Sequence, residues 1–303
     1  MCGSGMLRSE ETQFNCLTHV VDFSMSIGST MGSTMGCDGL REMGMEVYEM
    51  EMGGVVAQGK GLIGEELAEE AWGEVFDSNV SAAIEEYSPG EGVPATRVVD
   101  ESWESGPPMH WTQDGIEVGG RAVVEPRLTT FFADEPVVYH YSSKANTGHP
   151  FPPAIAAIKA KVEGLTGCRY NACLANMYVD GNMAVGWHSD AEHDLVADSP
   201  ITTVSLGATR QISYRAHAAS QLMSLQNDTR AALNASRQPP TPEQSAILAR
   251  VAEPDLNLDL EHGDVLVMAG TLQTHYRHRV PRDPSVTTPR VVLTFRAVST
   301  FSP

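Results

Sequence analysis

The tripeptide His188-Ser189-Asp190 constrains this chain more than any other stretch. Residues at i and i+2 of an extended backbone point to the same side, so one imidazole and one carboxylate face one way. A cation held by such a pair needs a third ligand. If that ligand is another histidine, the set becomes the two-histidine, one-carboxylate face that suits Fe(II) and leaves positions open for substrate and dioxygen. A facial site closes by bringing distant strands together, so the third ligand is expected on a later strand. His275 and His278 are the candidates there.

Behind them runs Pro289-Arg290-Val291-Val292-Leu293-Thr294-Phe295-Arg296. Strand alternation sends Arg290, Val292, Thr294 and Arg296 to one face. Two guanidiniums side by side are costly to bury unless an anion neutralises them, and planar forks suit carboxylates. A dicarboxylate co-substrate is the expected occupant.

His-x-Asp, a later His and Arg-x5-Arg, in that order, resemble the AlkB-type 2-oxoglutarate and Fe(II)-dependent dioxygenases, from roughly Gly115 to Ala297. Four blocks carry the resemblance: Asn176-x-Tyr178, His188-x-Asp190-x-Glu192, His278-Arg279-Val280-Pro281 and the run from Pro289 to Arg296. By that resemblance His188, Asp190 and His278 hold iron. His278 is preferred to His275 because it stands three before the proline in the family's H-x-x-P pattern. Asn176, Tyr178, Arg290, Thr294 and Arg296 would hold 2-oxoglutarate, Arg290 at the far carboxylate and Arg296 at the nearer end. Val292 stands where many relatives carry asparagine. The fold implied is α+β, mainly β: a double-stranded β-helix, or jelly roll, with bracing helices and a disordered N-terminal tail.

Charge bears on the substrate. The formal net charge of −19 is lopsided: residues 1–110 hold 20 acids and 4 bases, and residues 111–303 hold 19 acids and 16 bases. Phosphate contacts therefore remain available to the second part. The five cysteines show no C-x-x-C spacing, and an odd, sparse set suits a reducing compartment. No apolar run is long enough to span a membrane, and no secretory or transit signal is read, so nucleus or cytoplasm is expected, with the chain a monomer.

In chain order, residues 1 to about 60 are Gly, Met and Ser rich, with a near-repeat at Gly28–Met31 and Gly32–Met35, and are expected to be mostly disordered. Residues 61–303 are expected to form the dioxygenase domain. Leu67, Ala71, Trp72, Val75 and Phe76 recur at helical spacing, with acids in the first turn. The segment from Pro89 to Pro108 reads as a loop. Ile116–Ala133 and Val137–Ser142 read as strands. Pro152–Leu165 is a helix with prolines at its entry and Gly167 beyond its end. Ile201–Leu206 and Gln211–Arg215 read as a hairpin across Gly207-Ala208-Thr209. Residues 217–255 read as an insertion, with Thr241-Pro242-Glu243-Gln244 opening a helix to about Val251. His262 is placed on an exposed turn, His193 beside the motif on a loop, and Arg210 and Arg215 are left unassigned.

Substrate recognition rests on the resemblance. Arg127, Tyr139, Tyr141 and Ser142 match the region that lines the base pocket of eukaryotic AlkB homologues, with Glu192 completing it from the far side. Two rings and a carboxylate suit a flat cationic base such as 1-methyladenine or 3-methylcytosine. The implied activity is oxidative demethylation of such bases in DNA or RNA, exposed or flipped, consuming dioxygen and 2-oxoglutarate and releasing succinate, CO2 and formaldehyde. The same chemistry on a protein side chain or small metabolite remains open. A zinc hydrolase with Glu192 as base would leave the paired arginines idle, and a non-catalytic module would need a broken ligand set.

Overall fold

In the computed structural model, residues 36–76, 98–99, 110–113, 115–118, 121–135, 138–141, 144–252 and 254–299 are described. The first elements are α1 (Cys37–Glu42), β1 (Glu46–Glu49), β2 (Gly54–Gly59) and α2 (Glu65–Val75). Three short antiparallel pairs and a longer strand follow: β3 (Val98–Val99) with β4 (His110–Trp111), β5 (Gly115–Val118) with β6 (Arg121–Val124), then β7 (Leu128–Ala133), and β8 (Val138–Tyr141) with β9 (Lys144–Thr147). The helix α3 (Pro153–Thr166) leads to β10 (Ala172–Tyr178), β11 (Val185–His188), β12 (Ile201–Gly207) and β13 (Arg210–Ala216). After α4 (His217–Ser236) and α5 (Pro242–Ala249) come β14 (Leu256–Leu260), β15 (Val265–Gly270), α6 (Leu272–His275), β16 (Tyr276–Val280) and β17 (Arg290–Arg296).

Two antiparallel sheets make the framework, one of seven strands in the order β1-β2-β15-β12-β17-β10-β7 and one of four in the order β11-β16-β13-β14. Residues from both line one cavity, so the expected mainly β jelly roll is what the chain forms. Period-two alternation assigns the two faces of the larger sheet. On β17, Val291, Leu293 and Phe295 join a core cluster with Ile155, Ile158 and Val162 of α3 and Ala68, Ala71 and Val75 of α2. The intervening Arg290, Val292, Thr294 and Arg296 line the cavity. The same division holds on β10, with Cys173, Ala175 and Met177 in the core and Leu174, Asn176 and Tyr178 on the cavity.

The bracing helices follow their local signals. Pro152 has no side chain to cap α3, and the Glu74 carboxylate near the end of α2 accepts from Ala154 N at 3.0 Å instead. That satisfies a donor the helix itself leaves orphaned. Gly167 ends α3 in the left-handed conformation at φ 68°. Trp72 stacks on Phe76 and also covers Gly207, where φ is +83° and an added Cβ would lie 2.7 Å from the indole.

Three expectations are corrected. The tail does not extend to residue 60. β2 pairs along its length with β15, and Val56 and Ala57 are fully buried. The glycine-rich text hid this because the order comes from a partner strand about two hundred residues away, not from local periodicity. Residues 1–35 and the Pro89–Pro108 loop, apart from β3, lie outside the described residues.

The second correction is that β12 and β13 are not a hairpin. β12 pairs with β15 and β17, and β13 with β14 and β16, so Gly207-Ala208-Thr209 carries the chain from one sheet to the other. Third, the insertion is more helical than expected. α4 runs for 20 residues before α5, and only Ala219, Leu222 and Thr229 of it are buried. At α5 the expected capping box is present, with Thr241 and Gln244 satisfying each other's backbone N–H groups.

Candidate active site

β11 and β16 are neighbours in the smaller sheet, and their register sets His188 directly opposite His278. The two rings lie 4.2 Å apart between centroids. Asp190, two residues beyond His188, brings Oδ1 to 3.7 Å from His188 Nε2 and 4.0 Å from His278 Nε2. One donor atom from each of the three lies within 4.8 Å of the others. His275 ends α6 and is not part of this cluster, so His278 is the histidine that the fold brings in.

The protonation of these groups suits a cation. His188 Nδ1 donates to Gly186 O at 2.8 Å, because a carbonyl can only accept, which leaves the Nε2 lone pair facing the cluster. Burial pushes the His278 imidazole down to about 3, so it is neutral at physiological pH. For Asp190, burial raises the carboxyl, but the Arg296 guanidinium bonded to it outweighs this and holds the group well below the usual carboxylate range. Its Oδ2 accepts from Arg296 Nη2 at 2.7 Å, and its backbone N–H donates to Gln273 Oε1 at 2.9 Å. Its Oδ1 is buried with no hydrogen-bond partner, aimed between the two imidazoles. A buried carboxylate oxygen in that position is costly unless a cation meets it. Gln273 was not singled out by the sequence, and no local signal marks it.

Arg290 forms the cavity's other end. It is 1 % exposed, Nε donates to Ser205 Oγ at 3.0 Å, and Nη1 has no hydrogen-bond partner. Burial pushes this guanidinium down to about 10, and the charge of neighbouring Arg210 adds to that, yet it stays cationic at neutral pH. Among the described residues no carboxylate is bonded to it, so the slot fits one end of a dicarboxylate. Arg210, left unassigned from the sequence, is 2 % exposed and donates to the carbonyls of Asp180, Met183 and Pro281, which ties the β10–β11 connection to the β16–β17 connection.

The expected slot residues Asn176, Tyr178, Arg290, Thr294 and Arg296 all line one cavity with His188, Asp190 and His278, enclosing about 530 Å³ including its mouth. Arg296 differs in partner: it grips the Asp190 carboxylate, which alternation along β17 had not indicated. Arg127 also lines the cavity, but not as a base held out to phosphate. It is 4 % exposed, ion-paired with Glu125 and bonded through Nε to Asn176 Oδ1 at 2.8 Å. Tyr139 and Tyr141 fall on β8, their side chains outside the described residues, as is Ser142 altogether. Glu192 is half-buried just past Asp190 and is not among the residues lining the cavity. His193 is exposed beside Asp194. His262 is not exposed as expected: its Nδ1 accepts from Gly207 N at 2.9 Å and fixes the β12 end.

A family model described as the 2OG-Fe(II) oxygenase superfamily matches residues 94–296. The chain belongs to that superfamily. The four sequence blocks follow the AlkB pattern, and the chain is similar to AlkB-type members of that superfamily. It is 31% identical over 174 residues to alpha-ketoglutarate-dependent dioxygenase alkB homolog 3 of Homo sapiens, covering 57% of this chain and 52% of that one. It is 31% identical over 183 residues to the DNA oxidative demethylase ALKBH2 of Homo sapiens, covering 60% of each. To the Arabidopsis thaliana protein of the same description it is 29% identical over 192 residues, 62% of this chain and 58% of that one. The chain thus spans about half the length of the first of these relatives. As in other 2OG-Fe(II) oxygenases, the cofactors are Fe(II) and 2-oxoglutarate with dioxygen, and the buried Oδ1 of Asp190 and Nη1 of Arg290 show that the residues present fit both.

Proposed function

We propose that this protein oxidatively demethylates N-alkylated bases of the 1-methyladenine and 3-methylcytosine type in DNA or RNA. The observation that carries the reading is the placement of the His188, Asp190 and His278 donors and the unpartnered Nη1 of Arg290 in one cavity. His188, Asp190 and His278 would hold Fe(II). Arg290 would take the far carboxylate of 2-oxoglutarate, with Asn176, Tyr178 and Thr294 shaping the slot. When bound, Fe(II) with 2-oxoglutarate and dioxygen supplies oxidation of an N-methyl C–H bond, yielding succinate, CO2 and a hydroxymethyl group that leaves as formaldehyde.

The chain's own part is to position and to shield. Arg296 and Gln273 fix the Asp190 carboxylate from two sides. Arg127 fixes the Asn176 amide. The apolar Leu174, Ile212 and Met268 keep water from the cavity walls. Arg127, Tyr139, Tyr141, Ser142 and Glu192 are proposed for the base side, supported by their match to the AlkB pattern and by the relatives' description as a DNA oxidative demethylase. Among the described residues no helix is long and apolar enough to cross a membrane.

The test loads the protein anaerobically with Fe(II) and 2-oxoglutarate, then admits air in the presence of oligonucleotides carrying one 1-methyladenine or 3-methylcytosine. Formaldehyde and succinate in equal amounts, with the unmethylated base as product, are expected. Succinate formed only when a protein or metabolite is supplied would move the substrate elsewhere.

A further inference from the structure

The outer face of the four-stranded sheet carries an arrangement that fold stability does not explain. Alternation turns His278 inward and Arg277 and Arg279 outward on β16, and Arg215 outward on β13. The register sets Arg215 directly opposite Arg277. Like charges across an antiparallel pair are destabilising. Trp187, from β11, lies with the Arg215 guanidinium 4.4 Å and the Arg279 guanidinium 4.5 Å from its ring centroid. Asp255 takes Arg215 through two bonds of 2.7 and 2.6 Å. Arg277 stays exposed, and Arg279 Nε is buried with no hydrogen-bond partner. Asp259, the nearest outward acid on β14, stands opposite Gln211 at the other end of β13. In a chain of net charge −19, two guanidiniums on one indole with a third beside them, answered among the described residues by the carboxylate of Asp255, form a surface suited to an anion.

Resting on the reading above, we propose that this face binds the phosphodiester backbone flanking the base that enters the cavity. Trp187 adjoins His188 and Arg279 adjoins His278, so the patch and the metal donors sit on opposite faces of the same two strands. β11 is the edge of its sheet, and a strand of nucleic acid can pass over that edge from one face to the other. Planar guanidinium forks match phosphate oxygens in pairs, and an aromatic ring among basic groups is the surface that single strands favour. An acidic peptide offers the same charge without the regular phosphate spacing or the bases to stack.

The experiment measures binding of a single-stranded oligonucleotide carrying 1-methyladenine to the full chain by fluorescence anisotropy across a salt series. Arg277→Gln and Arg279→Gln are each expected to weaken binding several-fold at low salt. Each should also flatten the slope of log K against log salt by roughly 0.7, the loss of one phosphate contact. Arg169→Gln, which removes an exposed charge on the α3–β10 connection outside the proposed patch, should keep the wild-type slope. Thermal unfolding of each variant controls for misfolding, and exposed Arg277 gives a site where folding is not at stake. If the wild type binds and demethylates while both variants keep its slope, the inference falls alone. If the wild type neither binds nor demethylates the oligonucleotide, it falls with the functional reading. If a polyglutamate of equal charge competes as well as the oligonucleotide, the partner class is wrong.

Discussion

Arg296 Nη2 meets Asp190 Oδ2 at 2.7 Å with both side chains almost fully buried, so the carboxylate that faces the metal donors is held from behind by a cation of β17. Such a pair is costly to break from one side, because the surviving charge stays buried. Asp190→Ala should therefore destabilise even the metal-free protein by about 3–5 kcal/mol. Urea unfolding in EDTA checks this. A residue that served only as a metal ligand would show no loss under those conditions.

Arg290 behaves in the opposite way, since no carboxylate among the described residues is bonded to it. Arg290→Met should leave the stability of the ligand-free protein unchanged or raised. The affinity for 2-oxoglutarate should fall by roughly 30-fold or more, corresponding to about 2 kcal/mol at the low end for truncating one partner of a buried charge pair. Anaerobic titration with 2-oxoglutarate in the presence of Mn(II) reads this directly. Unaltered affinity would remove Arg290 from the slot.

The two histidines near the end of the chain should separate cleanly. His278→Ala is expected to reduce Fe(II) affinity by at least about 10–100-fold, the range seen when only a supporting group behind a ligand is lost. His275→Ala should keep wild-type iron content. Iron per chain after desalting distinguishes them, and equal retention would place the third ligand elsewhere.

Tyr214 faces His278, with ring centroids 5.9 Å apart, and its hydroxyl is buried without a hydrogen-bond partner. Burial pushes its phenol well above the ordinary range. Removing an unpaired buried hydroxyl relieves its desolvation cost. Tyr214→Phe should be neutral or stabilising by up to about 1 kcal/mol in the metal-free protein. A clear loss on urea unfolding would mean that the hydroxyl is satisfied in solution.

The sequence determined whatever depends on spacing along one element. His188 and Asp190 share a side because they stand two apart on extended backbone, and Arg290 to Arg296 face one cavity because β periodicity is two. The glycine stop of α3 and the capping box of α5 were equally legible, since their signals lie within four residues of the groups they satisfy. Tertiary structure decided what depends on which strand meets which. Pairing with β15 makes a strand of residues 54–59 that look like tail, and a crossing between sheets replaces the expected β12–β13 hairpin. The register of β11 on β16 brings in His278 and passes over His275. Only folding gave Arg296 its carboxylate and Arg210 its three carbonyls. Periodicity tells a side chain which face to take, but the partner on that face comes from a distant part of the chain, and its identity is set by closure of the two sheets.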